Sequence, residues 1–209
     1  MDAVMEPFDA VDFGPWPTAA PGPDRLLALS DRMSPLEVGT AMAVLSNYND
    51  GSEDPDGPDT DACVRIRSLL NADPVIAPGG ILLQDTASGA TSGPGCCFGL
   101  ENWRDWLGLM SGEDLWLGHD TAVRVEHRDA LVRLWPEGGP PARTPIELPL
   151  ADLPGLLQTV HDKLTGFLAL AGDWASRSAP ASAPALVAKL GADLGIGVAP
   201  MPTSAPPAG

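Results

Sequence analysis

Residues 152–174, DLPGLLQTVHDKLTGFLALAGDW, place Leu153, Leu157, Val160, Leu164, Phe167, Leu168, Ala171 and Trp174 at steps of three and four, the spacing that lines one side of an α-helix. The stripe persists for about six turns, so this helix needs an apolar surface to lie on. Residues 115–135, LWLGHDTAVRVEHRDALVRLW, offer one. They contain three short apolar runs, 115–117, 122–127 and 131–135, with Arg128-Asp129 as a two-residue turn between the last two. That register opposes Val125 to Val132 and Val123 to Leu134 on one face. It puts Glu126 against Leu131, Arg124 against Arg133 and Ala122 against Trp135 on the other, and a one-residue slip would scramble both faces. Ile146-Glu147-Leu148 adds a short edge strand. The expectation is an α+β fold: N-terminal helices, a small antiparallel β-meander, and the long C-terminal amphipathic helix packed on the sheet.

Working outward, Ser34-Pro35-Leu36-Glu37 combines a cap residue, proline at the first helical position and glutamate at the third, which satisfies the orphan amides reciprocally. A helix should follow to about Asn47, burying Leu36, Met42, Val44 and Leu45. A shorter one capped by Asp24 is expected over 24–32, and another over 62–70, ended by Asp73-Pro74. Residues 81–84 read as a buried strand and 86–89 as a turn. Residues 101–110 carry Trp103, Trp106, Leu107 and Met110 at helical spacing.

The ends differ in composition. Residues 1–23 hold five prolines with Phe8, Phe13 and Trp16 among them, which opposes regular structure and predicts an extended, disordered arm. Residues 24–177 form one α+β domain, interrupted by a turn-rich acidic loop over 49–61. Residues 178–209 are an Ala/Pro-rich tail with a short helix over 184–194, bearing Leu186, Leu190 and Leu194, and disorder is expected at both termini.

The chain has 209 residues, enough to bury a substantial core, with 28 acidic against 12 basic side chains for a net charge of −16. That charge opposes binding to nucleic acid or to an anionic membrane. No run approaches the roughly twenty apolar residues of a membrane span, and the start lacks signal-peptide character, so a cytoplasmic location is expected. Three cysteines, an odd number, point to reduced thiols.

Few patterns carry chemistry. Asp54, Asp56, Asp59 and Asp61 could offer oxygen ligands, yet alignment on Gly57 puts Pro58 and Cys63 where a calcium loop needs a backbone ligand and a glutamate. Cys63, Cys96, Cys97, His119 and His127 show no metal-ligand spacing, so no metal and no cofactor are expected. His119, His127 and His161 read as solvated. Phosphate loops, dinucleotide fingerprints and nucleophile elbows are missing. Cys96-Cys97 precedes the tryptophan-rich helix, where the positive end of a helix dipole favours thiolate. Cys97-Phe98-Gly99-Leu100 with Gly118-His119 resembles the Cys-x-Gly-Leu and Gly-His signatures of bacterial cell-wall cysteine peptidases, which implies a small cysteine-dependent hydrolase or transferase using Cys97 and His119. The chain departs from that family in the short spacing between the two.

The favoured reading is non-catalytic. Six Trp against one Tyr is unusual, and the meander face with Arg124, Arg133, Trp135 and Glu126 has the composition of an interface hot spot. The order of helices and short strands resembles the SUKH-type bacterial immunity and regulatory proteins, which implies binding to a partner protein. The acidic charge would speed encounter with a basic one.

Overall fold

A computed structural model describes residues 1–7, 10, 13–20, 26–50, 61–119, 123–135 and 144–197. The fold is α+β with two small antiparallel sheets. The first contains β1 (Asp2–Met5), β2 (Leu27–Ala28), β3 (Gly79–Gln84) and β4 (Thr91–Ser92), in the order β2-β1-β3-β4. The second contains β5 (Arg124–Arg128), β6 (Leu131–Trp135) and β7 (Ile146–Pro149), in that order. The helices are α1 (Pro35–Tyr48), α2 (Ala62–Asn71), a 3-10 helix (Leu100–Ser111), α3 (Leu153–Ser178) and α4 (Ala183–Asp193).

Helix α1 begins as its sequence predicts. The Ser34 hydroxyl accepts from the Glu37 amide, and the Glu37 carboxylate accepts from the Ser34 amide at 2.7 Å. Val38 through Ser46 are then all buried, so α1 has no solvent face over its middle turns and must be covered on every side. Leu36, expected in the core, is exposed at the first turn.

Part of that cover comes from residues 1–23, where the sequence predicts a disordered arm. Asp2–Met5 instead forms an inner strand of the first sheet, pairing Val4 with Gly80 on one side and with Ala28 on the other. Its Ala3, Val4 and Met5 are buried. Further along, Trp16 is buried against Trp174 of α3, with ring centroids 4.9 Å apart, and its indole Nε1 donates to the Gly39 carbonyl at 2.8 Å. Proline forbids a helix here but not an extended chain with one partnered strand. The helix expected over 24–32 is likewise replaced at residues 27–28 by β2. Phe8 and residues 21–25 lie outside the described residues.

The stripe of α3 is buried at Leu153, Leu157, Val160, Leu164, Phe167, Ala171 and Trp174. The helix packs against β1, α1, the 3-10 helix and α4. The meander joins the same core through Val132, Leu134, Ile146 and Leu148. A helix does form within the expected tail, and it is part of the fold: Leu186, Leu190 and Leu194 are buried, and the Leu194 carbonyl accepts from Trp103 Nε1 at 2.9 Å. Residues 198–209 lie outside the described residues. His161, expected to be solvated, has Nε2 donating to the Ile196 carbonyl at 2.8 Å.

The segment over 101–110 is helical with a different period. Leu100, Trp103, Trp106 and Leu109 are buried at steps of three, as in a 3-10 helix, where side chains at i and i+3 eclipse. Met110, assigned to the apolar face by an α-helical period, is exposed.

Two outcomes follow from this packing. Phe167→Ala should lower stability by about 3–5 kcal/mol in denaturant unfolding. Deleting residues 183–197 should lower the melting temperature by at least several degrees, because it uncovers α3 and removes the acceptor for Trp103.

Candidate functional site

The meander builds one candidate surface. Its hairpin turn is Asp129-Ala130, one residue later than the sequence predicts, with Asp129 at φ 46°. Moving the turn by one residue moves the pairing register by two, so the faces are preserved while the partners change. Arg124 opposes Trp135, Val125 opposes Leu134, and Glu126 opposes Arg133. The expected confrontation of Arg124 with Arg133 is therefore replaced by pairs of opposite charge or of arginine with an aromatic ring, both favourable across strands. The run over 115–117 forms no strand, and the third strand of this sheet is β7.

Val132, Leu134, Ile146 and Leu148 turn one face inward. The other carries Arg124, Glu126, Arg128, Arg133, Trp135 and Glu147. Arg133 Nε donates to Glu147 Oε1 at 2.8 Å, Arg128 to Glu126 Oε1 at 2.6 Å, and Trp135 Nε1 to Glu126 Oε2 at 3.4 Å. Partial burial would raise the Glu126 carboxyl, but the hydrogen bonds from Arg128 and Trp135, with the charges of Arg128 and Arg133, outweigh it and hold the group below its ordinary range.

A second cluster forms where two loops meet. The Gly95 amide donates to the Leu117 carbonyl at 2.8 Å and the His119 amide to the Cys96 carbonyl at 3.1 Å, which fastens residues 95–96 to 117–119. Gly118 is needed at the crossing: its φ is 110°, and a Cβ there would lie 2.4 Å from the Cys96 carbonyl oxygen. The far end of the cysteine loop is anchored on the first sheet by the Pro78–Gly99 bridge and by the Leu100 amide donating to the Ala77 carbonyl at 2.7 Å.

Cys97 adopts φ 64°, a left-handed conformation uncommon outside glycine. The Cys96 and Cys97 sulfurs lie 3.7 Å apart, and both cysteines and His119 are exposed. One ligand atom from each of these three residues lies within 4.8 Å of the others. Trp116 stands beside them, 52 % exposed, with its ring edge-on to His119 at 5.3 Å and to buried Phe98 at 5.9 Å.

The sequence names Cys97 and His119 as a pair, and the fold does bring them together. It also adds Cys96 and Trp116, whose placement the spacing of 21 residues between Cys97 and His119 does not reveal. The signals were the left-handed cysteine and the glycine before His119, both legible only once the loops are seen to cross. His127 lies elsewhere, its Nε2 donating to the Glu113 carbonyl at 3.2 Å. Asp61 caps α2 by accepting from the Cys63 amide at 2.8 Å, while Asp54, Asp56 and Asp59 lie outside the described residues.

No protein-family model, curated protein or solved structure matches the chain. No helix among the described residues is long and apolar enough to cross a membrane.

The lowered Glu126 carboxyl sets a pH dependence. A depressed acid stabilises the fold above its unfolded pKa, and that contribution is lost as pH falls through the folded one. The fluorescence of Trp135, taken as the difference from Trp135→Phe, should therefore change at a pH below the ordinary glutamate value of about 4.3. Glu126→Gln should abolish that step.

Proposed function

We propose that this chain is a non-catalytic protein-binding module, of the inhibitory or immunity kind, whose contact surface is the outer face of the meander. The observation that carries the reading is the arrangement of Arg124, Arg128 and Arg133 with Glu126 and Glu147 around Trp135, on a sheet whose opposite face is core. Ion pairs at such exposure contribute little to stability. They can exchange partners at small cost, while an anchored Trp flanked by Arg is the composition that interface hot spots favour.

The charge distribution gives the two length scales different tasks. The net charge of −16 attracts a basic protein at long range and raises its association rate. The meander is locally richer in arginine than in glutamate, so at contact it receives a carboxylate of that partner. Cys63, Cys96 and Cys97 form no disulfide, which suits a reducing compartment, and we take the setting to be cytoplasmic.

The test is affinity capture from the source cells with the full chain, followed by binding kinetics with the recovered protein. A single basic partner should be retained, with an association rate that falls as salt rises. Arg124→Glu/Arg133→Glu should weaken its binding by about tenfold or more, equivalent to at least 1.4 kcal/mol. An unchanged affinity would remove the meander face, and failure to retain any specific protein would remove the binding reading.

A further inference from the structure

We propose that Cys96, Cys97 and His119 constitute an open Cys2His site for Zn2+, with the fourth coordination position left to water. The inference is independent of the meander and of what it binds.

The donor set is two thiolates and an imidazole, which suits a borderline-soft d10 ion and not Ca2+ or Mg2+. The spacing agrees. Two sulfurs bound at about 2.3 Å to a tetrahedral zinc stand about 3.8 Å apart, and a sulfur and an imidazole nitrogen about 3.6 Å apart. The cysteine sulfurs are already 3.7 Å apart, and the imidazole ligand atom falls within 4.8 Å of both. Closing the remainder takes a shift of about 1 Å in exposed side chains, within ordinary rotamer freedom.

Adjacent residues seldom present two donors to one point, because in an extended chain their side chains alternate between faces. Here Cys97 is in the left-handed region, at φ 64°, and the turn it makes brings its sulfur to the side of Cys96. Strained backbone of this kind persists where the surroundings over-determine it, and those surroundings are visible. Two backbone hydrogen bonds tie residues 95–96 to 117–119, and Gly118 provides the clearance for that crossing. The Trp116 ring, set edge-on to His119 and braced by Phe98, limits the rotation of the imidazole. The loops thus hold three donors together in advance of a ligand, which is how a metal site reduces the cost of assembling its ligands.

A nucleophilic cysteine would need one thiol, with its histidine aligned as a base. This cluster has two thiols at tetrahedral spacing, and the second has no role in that chemistry. Because all three residues are exposed, replacing them should leave the fold intact, which makes the site testable by substitution.

The experiment is titration of the reduced full chain with Zn2+, and with Co2+ as a spectroscopic stand-in. Wild type should bind one equivalent, and the cobalt form should show thiolate charge-transfer and tetrahedral ligand-field absorption. Bound Zn2+ should protect Cys96 and Cys97 from alkylation while Cys63 continues to react. Cys97→Ser and His119→Ala should each weaken binding by more than the roughly 10–100-fold that loss of a ligand-orienting neighbour costs, with melting temperatures near wild type. Cys63→Ser should bind as wild type does. The proposal is overturned if the reduced chain binds no stoichiometric Zn2+, or if Cys96→Ser/Cys97→Ser binds it as tightly. Rapid alkylation of Cys97 that depends on His119 and persists in excess Zn2+ would likewise overturn it and assign the cluster to a thiol nucleophile.

Discussion

A helix with no solvent face over its middle turns dictates the rest of this structure. Nine consecutive residues of α1 are buried, and at about 25 cal/mol for each Å² of apolar surface removed from water, every neighbour that can cover them gains by doing so. The covering comes from widely separated parts of the chain. Trp16 donates to Gly39 in the middle of α1, Thr40 accepts from the Ala19 amide at 2.9 Å, and α2 and α3 pack along it. The described residues of the proline-rich leader around Trp16 and Ala19 are held in place because α1 gives them an apolar partner and hydrogen-bond acceptors.

The seams between these layers are closed by side chains bonding to backbone. Three consecutive amides leading into β3 have no ladder partner and are each met by a polar side chain from a different helix region. Val75 donates to Asp193 of α4 at 2.9 Å, Ile76 to Asn49 at the end of α1 at 2.8 Å, and Ala77 to Glu101 of the 3-10 helix at 3.0 Å. Buried amides left unpaired would each cost on the order of 1–3 kcal/mol, so this segment couples α1, α4 and the 3-10 helix. It also positions Gly99 and Leu100, and through them the loop that carries the paired cysteines.

The two candidate surfaces arise in contrasting ways. The meander face is a regular product of strand alternation: once one face is core, the other must display Arg124, Glu126, Arg133 and Trp135. The cysteine cluster is irregular and depends on crossing loops, a left-handed residue and a glycine. The first suits broad recognition of a protein surface, the second convergence on a single ion.

Much of the fold was legible from local rules. The capping box of α1, the stripe of α3, the apolar and polar faces of the hairpin and the short helix near the C terminus all follow from side-chain type and period, because each is enforced by bonds or burial within a few residues. The turn lies one residue later than the local signal indicates, yet the faces survive, since the register moves by two residues and parity is kept. The 3-10 helix escaped because Trp103 and Trp106, three residues apart, fit either period, and the burial of Leu109 in place of Met110 tells the two apart. Other decisions belonged to tertiary structure alone. Asp2–Met5 becomes an inner strand because β3, more than seventy residues away, offers the free edge. Cys96, Cys97 and His119 meet because two loops cross at Gly118. Those contacts lie between parts of the chain whose local sequences carry no record of one another, so composition and spacing could name the residues without showing that they come together.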